Sequence, residues 1–111
     1  MSFIYLASPY SANPELLHKQ ALKATAVFIA RGHIVYSPIV HCHPVHLVEN
    51  MPKTFDFWKR HNFGILSKAN KLWVLTLEGY DTSTGVAAEI AHAKECQIPV
   101  LYVPNPCPRD L

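Results

Sequence analysis

The chain is predicted to be an α/β protein of three layers, with a parallel sheet held between helices. Short, continuously apolar runs alternate with longer stretches of helical period, from "SFIYLA" at the start to "IPVLYVP" near the end. Each run closes on a proline, glycine or hydroxyl-rich break, as a buried strand entering a loop does. A length of 111 residues allows one core, so residues 1–111 are taken as a single domain.

The first strand is read in Ser2–Ala7, followed by the breaker "SPYSANP". Asn13, Pro14 and Glu15 then supply an N-cap, a proline for the first helical position and an acid for the first turn. Leu16, Leu17, Ala21, Ala24, Val27, Phe28 and Ile29 keep helical spacing up to Arg31, and Gly32 is the expected C-terminal cap. "HIVYSP" reads as a second strand. "IVHCHPVHLVENMP" has no clean period and is expected to be a long irregular connection. A second helix is placed in "KTFDFWKRHNFGILSKAN", a third strand in Lys71–Leu77, and a third helix from Ser83 or Thr84 to Glu95, with Val86, Ile90 and Ala93 and also Ala87 and Ala91 turned inward. A last strand follows. This βαβ alternation implies right-handed crossovers and a Rossmann- or flavodoxin-like sheet of four to five strands, with ligands beyond the carboxyl ends of the strands.

Composition narrows the function. Half of the residues are hydrophobic, 16% are charged and the net charge is +2. The basic residues are scattered, so no nucleic-acid polymer is expected as partner. No apolar run reaches the ~18 residues of a membrane span, and "MSFIYLASPYS" carries no basic leader, so a soluble cytoplasmic protein without a membrane partner is expected. Three scattered cysteines, Cys42, Cys96 and Cys107, do not form a disulfide framework.

The segment "GYDTSTGVAAEIAHA" sets a carboxylate, Glu89, beside Val86 and Ala93 on the inward stripe of its helix. A buried ionised carboxylate is costly unless it is hydrogen-bonded or its charge is used. The alternative is a rim position, solvated or paired with Lys94 or His92. Ser83, Thr84 and Gly85 lie at the helix N-terminus, where free N–H groups favour an anion such as phosphate; equally, Ser83 or Thr84 can simply cap the helix. The loop fits neither the P-loop nor the dinucleotide fingerprint. "HCHPVH" invites a zinc reading, with His41 and His43 on one side of an extended segment. No CxxC pair, HExxH helix or distant second pair completes such a site, so no metal is expected, and the imidazoles are read either as ligand contacts or as a buried loop or oligomer contact. Tyr10 and Tyr80 are the aromatics chosen to stack on a base, while Phe55, Phe57 and Trp58 are assigned to the core. Asp81 also reads as a turn residue.

Four stretches together, "IYLASPYS", "SPIVH", "ILSKANKLWVLTLEGYDTSTGVAAEIAHA" and "IPVLYV", resemble the nucleoside 2-deoxyribosyltransferase superfamily over nearly the whole chain. The resemblance is narrowest to its short bacterial and phage branch, and extends to the 2′-deoxynucleoside 5′-monophosphate N-glycosidases. It implies a small-molecule nucleoside or nucleotide substrate, no cofactor and a homo-oligomer. It also implies a reaction in which Glu89 attacks the anomeric carbon and the N-glycosidic bond is cleaved or transferred. Tyr5 matches the family's tyrosine at the end of the first strand and would orient the nucleophile. Ser83 falls at the phosphate-binding serine of the nucleotide hydrolases. Asn62 stands where relatives carry an aspartate that acts on the leaving base, and an amide cannot give up a proton in that way. Asp81, Asp56 or His61 are the replacements considered. The expected site is therefore Glu89, Tyr5 and Asp81 for catalysis, with Ser8, Pro9, Tyr10, Ser11, His43, Asn62, Ser83, Thr84 and Gly85 binding substrate. The alternative is a nucleotide-binding or sensor module of the same fold without turnover.

Overall fold

A computed structural model describes residues 2–52 and 54–107. Its elements run β1 (Ile4–Ala7), α1 (Pro14–Ala30), β2 (Val35–Tyr36), α2 (Pro38–Glu49), α3 (Phe55–Leu66), β3 (Lys71–Leu75), a single 3₁₀ turn (Tyr80–Thr82), α4 (Thr84–Glu95) and β4 (Val100–Val103). All strand pairs are parallel, and the strand order is β2-β1-β3-β4. That is the flavodoxin-like order of the first four strands, in which the chain reverses its direction of travel between β1 and β3.

The pleat sorts the core onto two faces. Tyr5, Ala7, Leu72 and Val74 turn to one side and pack with Leu66 of α3 and with Val86 and Ala93 of α4. Leu6 and Leu75 turn to the other and meet Leu17, Ala24 and Phe28 of α1. β1 is buried at every position, as expected for a central strand covered on both faces. Register sets Tyr5 beside Tyr36 on one neighbour and beside Leu72 on the other.

The caps of α1 follow the sequence. Asn13 accepts from the Leu16 N–H, Pro14 opens the helix and Gly32 takes a φ of 98° just past its end. In α4, Val86 and Ala93 are buried as expected, but Ala87 and Ala91 face solvent and Glu89 takes the inward place.

The main departure lies in residues 38–49, which form a helix and not an irregular connection. Ser37 caps it by accepting from the Val40 N–H, Pro38 opens it, and Asn50 closes it in the left-handed region at φ 55°. Two features hide this helix from sequence reading. Pro44 sits inside it, where proline normally costs about 3 kcal/mol. Its buried face is made of Cys42, His43 and His46, while Leu47 and Val48 are 59% and 80% exposed. Polarity therefore runs opposite to the usual amphipathic pattern. No described helix is long and apolar enough to cross a membrane.

Candidate functional site

Loops from the carboxyl ends of β1, β2 and β3 surround a cleft of about 440 Å³, where ligands of such sheets bind. The turn after β1 contributes Ser8, Pro9, Tyr10 and Ser11. From α2 come Cys42, His43 and His46; from α3, Phe55, Trp58 and Asn62; and from the start of α4, Ser83, Thr84, Gly85 and Glu89. The structure thus brings together the nine residues expected to bind substrate, with Glu89 among them.

Glu89 is not at the rim. It is 4% exposed, and its Oε2 accepts a 2.6 Å hydrogen bond from the Tyr5 hydroxyl, reaching across from the central strand. His92, one of the partners considered for it, instead meets Glu95 at 3.8 Å and the Ser67 hydroxyl. Burial pushes the Glu89 carboxyl up to about 7, and the Tyr5 hydrogen bond partly opposes that rise by favouring the charged form. The Tyr5 phenol is itself raised well above its ordinary value, first by burial and then by the Glu89 charge, so it remains a hydroxyl donor. At neutral pH the carboxyl is poised between its two forms, as expected of a group used chemically.

Two polar atoms in this region are orphaned. Ser8 Oγ, in the cleft wall, and Tyr36 Oη, beside Tyr5 with ring centroids 5.8 Å apart, are buried without a hydrogen-bond partner among the described residues. A buried hydroxyl without a partner costs about 1–3 kcal/mol, which a ligand in the cleft can recover at Ser8. At the α4 N-terminus Ser83 Oγ accepts from the Val86 N–H at 3.2 Å, so it does cap the helix. The first-turn N–H groups of Thr84 and Gly85 have no intrahelical carbonyl to bond and border the cleft. Gly85 also has a packing role, because a Cβ there would lie 3.3 Å from the Phe55 ring.

The histidines divide in a way the sequence concealed. His41 and His43 do not share a face: His41 is exposed and stacks on His61, whereas His43 and His46, one helical turn apart, turn inward. Tyr10 Oη lies 2.6 Å from His43 Nδ1 and 3.3 Å from His46 Nε2. His43 Nε2 faces Glu15 Oε2 at 3.6 Å, and its ring stacks on His18 at 4.1 Å. Burial, with the Glu15 charge next, raises the Tyr10 phenol and keeps it protonated. Among the described residues, no three of His, Cys, Asp and Glu are grouped to hold a metal ion.

The three residues considered as replacements for Asn62 lie outside the cleft lining, although His61 Nδ1 is 3.3 Å from Asn62 Oδ1. Asp81 is exposed in the 3₁₀ turn, and Asp56 and His61 are exposed on α3; none lines the cleft. Asn62 does line it, 6% exposed, and its Oδ1 lies 3.6 Å from Cys42 Sγ. Cys42 is an inert thiol, pushed up to about 12 by burial and then by Glu89. The aromatic wall also differs from expectation: Phe55 and Trp58 line the cleft with Tyr10, while Tyr80 packs against Tyr102 and the core. Phe55 and Trp58 sit one helical turn apart, a spacing that core and pocket residues share, so periodicity could not separate the two roles.

A search of curated proteins finds no match to the chain. A family model described as "Domain of unknown function (DUF1937)" matches residues 2–104, a span that holds the whole sheet and every residue of the cleft. The chain therefore belongs to the DUF1937 family.

Proposed function

We propose that this protein cleaves or transfers the N-glycosidic bond of a nucleoside or nucleoside 5′-monophosphate through a covalent intermediate on Glu89. The observation that carries this reading is the buried Glu89 carboxyl in the cleft, held at 2.6 Å by the Tyr5 hydroxyl. A fold stabilised for its own sake would place an apolar residue there, since burying the carboxyl opposes its ionisation. Ionised Glu89 attacks C1′, the C1′–N bonding pair leaves with the base, and water or a second base then takes the sugar from the glutamate. Phe55, Trp58 and Tyr10 suit a flat base, and the Ser8 hydroxyl suits a sugar or phosphate oxygen. The free N–H groups of Thr84 and Gly85 suit an anion, and so favour a 5′-monophosphate. Likeness of the quoted motifs to the nucleoside 2-deoxyribosyltransferase superfamily supports the same reading.

A homo-oligomer in the cytoplasm, without cofactor, nucleic-acid polymer or membrane partner, belongs to this proposal. Its support is the edge strand β4, where Leu101 and Tyr102 are more than half exposed. Sedimentation equilibrium at micromolar concentration tests the assembly, and a monomer would refute that part.

The second reading is a nucleotide-binding module without turnover. It is favoured by the amide of Asn62 standing where the resembled superfamily has an aspartate. Free-base release, measured by chromatography over ribo- and deoxyribonucleosides and their 5′-monophosphates, separates the two. Release by wild type that is lost in Glu89→Ala is expected. Nucleotide binding of equal strength in both proteins, with no base released by either, would establish the module instead.

A further inference from the structure

The leaving base of an N-glycoside needs a proton, and the cleft wall made by α2 and the turn after β1 holds two hydrogen bonds, Tyr10 to His43 and Tyr10 to His46, that a charge contact from His43 to Glu15 of α1 extends to the surface. Glu15 is on the surface with its side chain 85% exposed, His43 and His46 are buried, and Tyr10 joins them at the cleft. Contacts run from Glu15 Oε2 to His43 Nε2 at 3.6 Å, from His43 Nδ1 to Tyr10 Oη at 2.6 Å, and from Tyr10 Oη to His46 Nε2 at 3.3 Å. Asp81, Asp56 and His61 do not line the cleft, and Asn62 has no acidic proton.

We propose that Tyr10 is the proton donor to the leaving base and that His43 reprotonates it from the Glu15 side, with His46 holding the phenol in place. This inference rests on the glycosidic reading of Glu89. A phenol has one hydrogen, which makes the path directional. With His43 neutral and its Nε2–H turned to Glu15, Nδ1 is an acceptor and takes the Tyr10 hydrogen bond, so the phenol proton points away from substrate. With His43 protonated, Nδ1–H donates to Tyr10 Oη, His46 in its Nε2–H tautomer donates to the same oxygen, and the phenol proton is freed for the cleft. As Glu89 Oε bonds to C1′ and the C1′–N pair departs with the base, the base nitrogen takes the Tyr10 proton and Tyr10 takes the His43 Nδ1 proton. The phenol ends unchanged, His43 ends neutral, and Glu89 carries the sugar. Water attack reverses the relay: the proton lost by water returns through Tyr10 to His43 while the glutamate–C1′ bond breaks. Among the described residues, the groups that face His43 include Glu15 and His18 of α1, Tyr10 of the preceding turn and His46 of its own helix.

The test compares two leaving groups, 2′-deoxyguanosine 5′-monophosphate and its N7-methyl derivative, whose base departs as a neutral species without taking a proton. Tyr10→Phe and His43→Gln are expected to lose about 100-fold or more in kcat on the first, a typical contribution of general acid catalysis, and to retain most turnover on the second. Glu89→Gln loses both, because it removes the nucleophile. Equal losses of Tyr10→Phe on the two substrates would overturn the relay while leaving the Glu89 reading intact. Base release from neither substrate by folded wild type would overturn both. Glu15→Gln, a surface change that leaves the core untouched, provides an independent readout: removing the carboxylate should move the alkaline limb of the kcat profile to lower pH on the nucleotide, and an unmoved limb counts against the path.

Discussion

At the scale of single residues, the Tyr5–Glu89 pair decides how the protein responds to pH. Glu89 has its folded-state value raised from 4.5 to about 7. A raised carboxyl is at its most favourable below the unfolded value, where it is neutral in both states. Stability is then lost as pH rises from about 4.5 through 7, because the unfolded chain ionises first. The shift corresponds to roughly 3 kcal/mol at full ionisation. Glu89→Gln keeps an acceptor for the Tyr5 hydroxyl and removes the titration. Urea midpoints for wild type and the variant should therefore diverge between pH 5 and pH 8, with the variant relatively more stable at the higher pH; parallel curves would refute the assignment. On the proposed mechanism the sign in activity is opposite: Glu89 would have to be ionised to attack, so an acid limb in kcat/KM near pH 7 is expected.

At the scale of elements, two helix starts matter to the site. Ser83 both caps α4 and lines the cleft. Ser83→Ala should cost about 1 kcal/mol as a lost N-cap, read as a lowered urea midpoint. If it also binds a phosphate, KM for nucleoside 5′-monophosphates should rise while KM for the nucleosides stays level; an equal change in both limits Ser83 to the cap. The helix α2 shows where sequence reading fails. Its N-cap Ser37 and Pro38 follow ordinary start signals, yet an interior proline and an inward row of Cys42, His43 and His46 erase the apolar period. Those histidines are buried because α1, β1 and Tyr10 surround them, and only long-range packing brings these together. Besides the Ser37–Pro38 start, the polar stripe at 42, 43 and 46 was a sequence signal for this helix, since it has helical spacing even though the residues are not apolar.

At the scale of the whole molecule, the central strand β1 shares one face with α3 and α4 and the other with α1, and the strand-order reversal beside it opens the cleft. The same burial protects one thiol of three. Cys96 is exposed and Cys107 partly so, whereas Cys42 is buried and held protonated. Reaction with a thiol reagent at pH 8 should label Cys96 and Cys107 in the native protein, and Cys42 only as the chain unfolds. Rapid labelling of Cys42 under native conditions would mean that α2 opens independently.

The sequence by itself determined the fold class, the strands and three of the four helices, because apolar runs, N-cap residues and glycine at a helix end act through local backbone preference and burial period. Position at the ends of predicted strands or at a helix start also placed Glu89, residues 8–11 and residues 83–85 on one edge of a parallel sheet, whereas Tyr5 and Asn62 were singled out by the family resemblance and His43 by its histidine-rich segment. Only the tertiary structure decided that Glu89 is buried and bonded to Tyr5, 84 residues away in the chain, and that Asp81 turns to solvent. It likewise brought Tyr10, His43, His46 and Glu15 into contact. Distances, desolvation and hydrogen-bond direction depend on what is packed around a side chain, and that is set by contacts far apart in sequence.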